Sequence, residues 1–101
     1  MADPIAVIST FPVAADQQAD LLRHLHHAAE NVLRFRPGFV AARLLCAADG
    51  TAVVNYAEWV SEQAIRDALA DPLVRASMAP AWAIARPQVR RSTVASVHRR
   101  S

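Results

Sequence analysis

The segment Val53-Val54-Asn55-Tyr56-Ala57-Glu58-Trp59 contains two side chains whose chemistry does not match their position. It reads as a strand, and alternation puts Val53, Asn55, Ala57 and Trp59 on one face, with Val54, Tyr56 and Glu58 on the other. An asparagine in the middle of a strand costs free energy unless its amide is hydrogen-bonded. A helix end or a buried water could satisfy it. Alternatively the amide points into a pocket, where it would grip a substrate carbonyl or the oxyanion formed from it. Trp59 has the same two possibilities: space-filling under a helix, or an indole N–H offered to a ligand oxygen. The small Ala57 between them leaves room for a ligand.

Other reactive types are sparse. His24 and His27 share a helical face with Asp20 and Asn31, but no second group of ligands completes a shell, so a functional metal is not expected. Cys46 is the only cysteine, which rules out an internal disulfide. It is expected to be a small buried hydrophobe in a reducing cytoplasm. Gly38 and Gly50 are the only glycines, so no Gly-rich loop exists to cradle a nucleotide or flavin. No serine sits in an elbow context.

The elements that would position these residues follow from periodicity. Ile5 to Phe11 is an apolar strand closed by Pro12, with Ile5, Val7 and Phe11 on one side and Ala6 and Ile8 on the other. From about Asp16 a helix runs toward Arg36, with Leu21, Leu25, Ala28, Ala29 and Val32 as its apolar stripe. It must stop before Pro37-Gly38. Phe39–Ala47 and Thr51–Trp59 form a hairpin around Asp49-Gly50, a pair suited to a primed turn with positive φ. Ser61 caps a helix to Ala70, Asp71-Pro72 breaks it, and a short helix from Leu73 to Met78 follows. Pro80 and Pro87 bracket a loop that carries Trp82, and Gln88–Val97 is the last strand.

This order gives an α+β, ferredoxin-like βαββαβ domain with a four-stranded antiparallel sheet and helices on one face. Residues 1–97 form the single domain, and residues 98–101 are a basic tail. The chain has 101 residues, 53% of them apolar, and a net charge of +2. That is more apolar content than a lone small domain needs, and the strands are apolar on both faces. A homodimer joined through the sheet face would bury the surplus, with Tyr56 and Glu58 at the interface. No run approaches a membrane span, and Met1-Ala2-Asp3-Pro4 does not read as a signal peptide. Arg86, Arg90, Arg91, Arg99 and Arg100 crowd the C-terminal end, where they are expected to be a solvated strand edge and a frayed tail.

The stretch from Asp49 through Trp59, followed by Ser61-Glu62-Gln63-Ala64, resembles the corresponding hairpin of antibiotic biosynthesis monooxygenases, above all the cofactor-independent, quinone-forming branch. Ile5 to Val13 and Pro37-Gly38-Phe39 fit the same frame more loosely. The resemblance implies a dimeric α/β barrel with a cavity between sheet and helices. It further implies oxidation of a polycyclic aromatic phenol or anthrone to a quinone by molecular oxygen, with no cofactor. Asn55 and Trp59 would be catalytic, binding the carbonyl or enolate oxygen and an oxygenated intermediate. Val53, Ala57 and Trp82 would contact the substrate. Where that branch carries a tyrosine, this chain has Ile65. For a helix arginine of that branch, Arg75 is the nearest counterpart and Arg66 the next.

Haem-degrading relatives pair the strand tryptophan with a histidine on the following helix, and residues 62–80 contain none. RNA-recognition domains share the topology but stack bases on paired aromatics of the central strands, which Val53, Asn55 and Ala57 do not provide. A small-molecule-binding or orphan dimer on the same fold, without oxygenase activity, is the alternative outside catalysis.

Overall fold

The computed structural model describes residues 3–101, so the part of the signal-peptide question that concerns Met1 and Ala2 lies outside it. Strand β1 spans Ile5–Pro12, helix α1 Gln18–Asn31, β2 Phe39–Cys46, β3 Ala52–Trp59, α2 Glu62–Ala70, α3 Pro72–Ile84 and β4 Gln88–Thr93. The strands form one antiparallel sheet in the order β2-β3-β1-β4. This is the ferredoxin-like arrangement expected from the sequence. β1 and β3 lie at its centre with Val7 opposite Ala57, Ser9 opposite Asn55 and Phe11 opposite Val53. The helices cover the face that carries these residues.

The hairpin forms as expected, but its turn is of another kind. Within the turn only Gly50 has positive φ, at 81°. Asp49 does not take positive φ, and its carboxylate accepts from the Thr51 N–H at 3.0 Å and the Thr51 hydroxyl at 2.6 Å. A side chain that closes the loop this way removes the need for a second left-handed residue. The amide of Gln18, at the start of α1, donates to the Ala47 and Ala52 carbonyls at 3.1 and 3.0 Å and fastens the hairpin base to the helix layer. Cys46 is exposed rather than buried, since it ends the edge strand β2.

Two helical boundaries differ from expectation. α1 ends at Asn31, and Leu33–Phe35 tightens into a 3-10 turn, because Arg36 must be extended ahead of Pro37. α3 is longer than expected and runs through Pro80, so Trp82 is helical and not in a loop. An interior proline costs about 3 kcal/mol. The helix continues because the residues beyond it, Ala81 and Ala85, are buried in the core, and Trp82 and Ile84 pack against the same cluster. β4 is short, and residues 94–101 carry no regular structure.

Asp71 joins the two later helices. Its carboxylate accepts from the Leu73 N–H at 2.8 Å, capping α3, and from Arg36 Nη1 at 2.8 Å. The hydrogen bond from Arg36, followed by that from the Leu73 backbone, holds this carboxyl below its ordinary range. At the other end of the helix layer Gly38 has φ 84° and its carbonyl accepts from the Val60 N–H at 2.9 Å. A Cβ at Gly38 would lie 2.5 Å from Cβ of Ala64 on α2. Gly38→Ala therefore combines backbone strain with a clash, and it should cost more than about 1 kcal/mol. By thermal unfolding that corresponds to a fall of at least about 4–8 °C in Tm. An unchanged Tm would show that α2 does not need this close approach.

Candidate active site

The apolar core of this domain is in two parts. One cluster joins Phe11 and Val53 to Leu21, Leu25 and Ala28 of α1 and to Val74, Met78 and Ala81 of α3. The other joins Ala57 and Trp59 to Ile65 and Ala68 of α2. Small domains usually have one contiguous core. Here a cavity of about 350 Å³ separates the parts, bordered by Phe11, Val74 and Met78 of the first and by Ala57, Trp59, Ile65 and Ala68 of the second. That volume falls in the range of about 300–1,000 Å³ of small-molecule pockets. Leu69, Arg86, Val89 and Arg91 line it yet stay exposed, so the mouth lies between α2 and β4.

Asn55 meets this cavity from the middle of β3. Its Oδ1 is shut off from solvent and has no hydrogen-bond partner. Such a group costs about 1–3 kcal/mol. Its cross-strand neighbour Ser9 is the other polar residue on the sheet floor of the cavity. Trp59 is buried in the wall, held edge-on by Phe39 with ring centroids 5.3 Å apart and planes at 89°. Among the described residues, no side chain accepts from its indole N–H. The Asn55 amide and the Trp59 indole thus both border a slot whose remaining walls are aliphatic or aromatic except at Ser9, Arg86 and Arg91. No aspartate, glutamate or histidine lines it.

Of the residues singled out in the sequence, Asn55, Trp59, Ala57 and Trp82 come together around the cavity. Val53 does not line it; it is fully buried in the same cluster as Phe11, its cross-strand partner. Arg75 and Arg66 are exposed and outside the cavity, because each lies on the solvent side of its helix. Arg66 donates to Gln63 at 3.1 Å. The arginines that do line the cavity are Arg86 and Arg91, which charge clustering alone assigns to a solvated edge. Alternation offered the signal: Val89 and Arg91 pair with Ser9 and Val7, so both belong to the helix-covered face. Ile65 is buried and lines the cavity. The histidines lie elsewhere, with His27 Nδ1 3.0 Å from Asn31 Nδ2. Among the described residues no group of three or more histidines, cysteines or acids is placed to hold a metal.

An unpartnered amide in an apolar wall is tolerated at a cost to stability. Asn55→Leu removes that cost while conserving volume, so it should raise Tm by a few degrees in a thermal melt. A fall in Tm would mean that the amide is satisfied in the folded protein.

Comparisons with known proteins agree with this geometry. Residues 4–80 match the family model of antibiotic biosynthesis monooxygenases. A tetracenomycin-F1 monooxygenase from Streptomyces glaucescens is 36% identical over 86 residues, which cover 85% of this chain and 77% of that protein. The monooxygenase from the ActVA-Orf6 gene of Streptomyces coelicolor, solved with the ligand nanaomycin D, superposes with a TM-score of 0.86 at 30% identity. That match covers 98% of this chain and 94% of the other. SnoaB of Streptomyces nogalater, a cofactor-independent oxygenase, gives a TM-score of 0.73 at 25% identity over 95% and 97% of the two chains. With the family model matched over residues 4–80 and relatives of 36% and 30% identity covering most of its length, the chain is a monooxygenase of the antibiotic biosynthesis monooxygenase family.

Proposed function

We propose that this monooxygenase oxidises a polycyclic phenol or anthrone to a quinone with molecular oxygen, using no metal, flavin or haem. The observation that supports this most is the Asn55 amide, its Oδ1 unpartnered, on the floor of a largely apolar cavity. A planar ring system would sit between the two core clusters, with a ring carbonyl or enolate oxygen accepting from Asn55 Nδ2 and a phenolic hydroxyl donating to the unpartnered Oδ1.

The chemistry balances without a cofactor. Loss of a proton from the ring carbon gives an enolate, and its carbon adds dioxygen to form a hydroperoxide. Loss of water leaves the second carbonyl, so one oxygen atom enters the product and the other leaves as water. The substrate carbon supplies all four electrons. With no acid or histidine in the cavity, deprotonation depends on stabilising the anion, and a hydrogen bond to the charged oxygen favours that form. The Asn55 amide provides it. The Trp59 indole N–H serves the peroxide oxygen, because Ile65 places no phenol beside it.

The bare sheet face supports a homodimer. Leu45 is 54% exposed there, opposite Val54 of β3, and Arg43 pairs with Tyr56. Desolvation, followed by the nearby Glu58 carboxylate, raises the Tyr56 phenol above its ordinary value, so it stays neutral in such an interface. Light scattering after gel filtration should give twice the 11.0 kDa chain mass. Leu45→Asp should shift it to the monomer, and a wild-type monomer would refute the pairing. Among the described residues no helix is long and apolar enough to cross a membrane. With a single cysteine, we place the protein in the reducing cytoplasm.

Oxygen uptake with anthrone, in metal-free buffer without flavin or reductant, tests the reaction. Wild type should consume one dioxygen per quinone formed. Asn55→Ala should lower the rate about 10²–10³-fold, the loss typical of removing an oxyanion donor, and Trp59→Phe should lower it as well. No rate above the spontaneous background, across anthrones and tetracyclic phenols, would leave a binding member of the fold.

A further inference from the structure

We infer that the substrate carries an anionic substituent, a carboxylate or an equivalent acidic group, on the ring remote from the reacting carbon, and that Arg86 binds it at the cavity mouth. This rests on the substrate class proposed above and specifies it further. The cavity is apolar except at two places: the Asn55 floor and the rim, where Arg86 and Arg91 line it. These two cations are not equivalent. Arg91 Nε donates to both oxygens of Glu62, at 3.2 and 3.4 Å, so its charge is matched where β4 meets α2. Arg86 forms no ion pair among the described residues.

The rim therefore holds two guanidinium groups and one carboxylate, and the excess charge lies at Arg86. Position favours its use by a ligand. Arg86 follows the C-terminal cap of α3 and precedes Pro87, on the short link between α3 and β4, so its backbone is fixed from both sides. A planar guanidinium matches a carboxylate in two parallel hydrogen bonds, and it is less strongly hydrated than an ammonium. The one carboxylate at the rim, Glu62, is engaged by Arg91 and does not line the cavity. Trp82, on the last turn of α3, also lines the slot, which gives the rings an aromatic wall on the way from the rim to Asn55. A ring system bound at both ends is oriented as well as held, and a neutral one is held at Asn55 alone.

Binding without turnover separates this from the oxygenase question. Tryptophan fluorescence quenching would give Kd for anthraquinone-2-carboxylate and for its neutral amide, anthraquinone-2-carboxamide. Wild type should bind the carboxylate at least about tenfold more tightly, a preference that weakens with salt. Arg86→Gln should bring the ratio toward one and Arg86→Lys should restore it only in part, since a point charge replaces the fork. Arg23→Gln, which removes the same charge from the outer side of α1, should keep the preference. Equal affinities in wild type, or a preference that survives Arg86→Gln, would overturn the inference even if anthrone is oxidised. If the preference is found but no oxygen is consumed, the anion site stands and the oxygenase proposal fails.

Discussion

Asn55 projects from the middle of β3 into the space between two apolar clusters, and the domain is built to keep that space open. A dry, sealed void of 350 Å³ would cost roughly 8 kcal/mol at about 24 cal/mol per Å³. That is comparable with the whole stability of a small domain. The space is therefore one kept for a ligand, and the polar amide on its floor together with the open rim at β4 serves that purpose. Filling it with side chains would give a more stable protein and no site.

The surrounding contacts can be understood as supports for a divided core. The first cluster, on Phe11 and Val53, is closed by α1 and α3, and Gln18 ties the hairpin base to α1 at that end. The second, on Ala57 and Trp59, is closed by α2, which can sit close only because Gly38 has no side chain. Asp71 links these halves by capping α3 while it receives Arg36. Leu33 packs against both clusters and spans the gap on the helix side. Leu33 also lines the cavity, whereas Gln18, Gly38, Asp71 and Arg36 lie outside it, so the walls are fixed without these polar groups intruding on them.

Much of this arrangement could be read from the sequence, because alternation is strict where both faces of a strand are apolar. Asn55 broke the pattern and so marked the cavity floor, and Trp59 shared its face by spacing alone. Pro80 misled, since a proline usually ends a helix. The burial of Ala81 and Ala85 outweighed it, and only tertiary packing could reveal that. Asp49-Gly50 correctly marked the hairpin, but the hydrogen bonds from Thr51 to Asp49 changed the turn it uses. Arg86 and Arg91 looked like part of a charged tail because composition dominated that region, although register with β1 assigns Arg91 to the cavity side. Arg66 and Arg75 face solvent, which a family pattern without coordinates could not reveal.

A crystal structure of the protein with bound anthraquinone tests the central claim most directly. The account requires the rings to lie between the Phe11 and Trp59 clusters, with one carbonyl oxygen about 2.7–3.2 Å from the Asn55 amide. A quinone seated on the outer sheet face, or a cavity that side chains have closed with Asn55 satisfied by the protein, would contradict it.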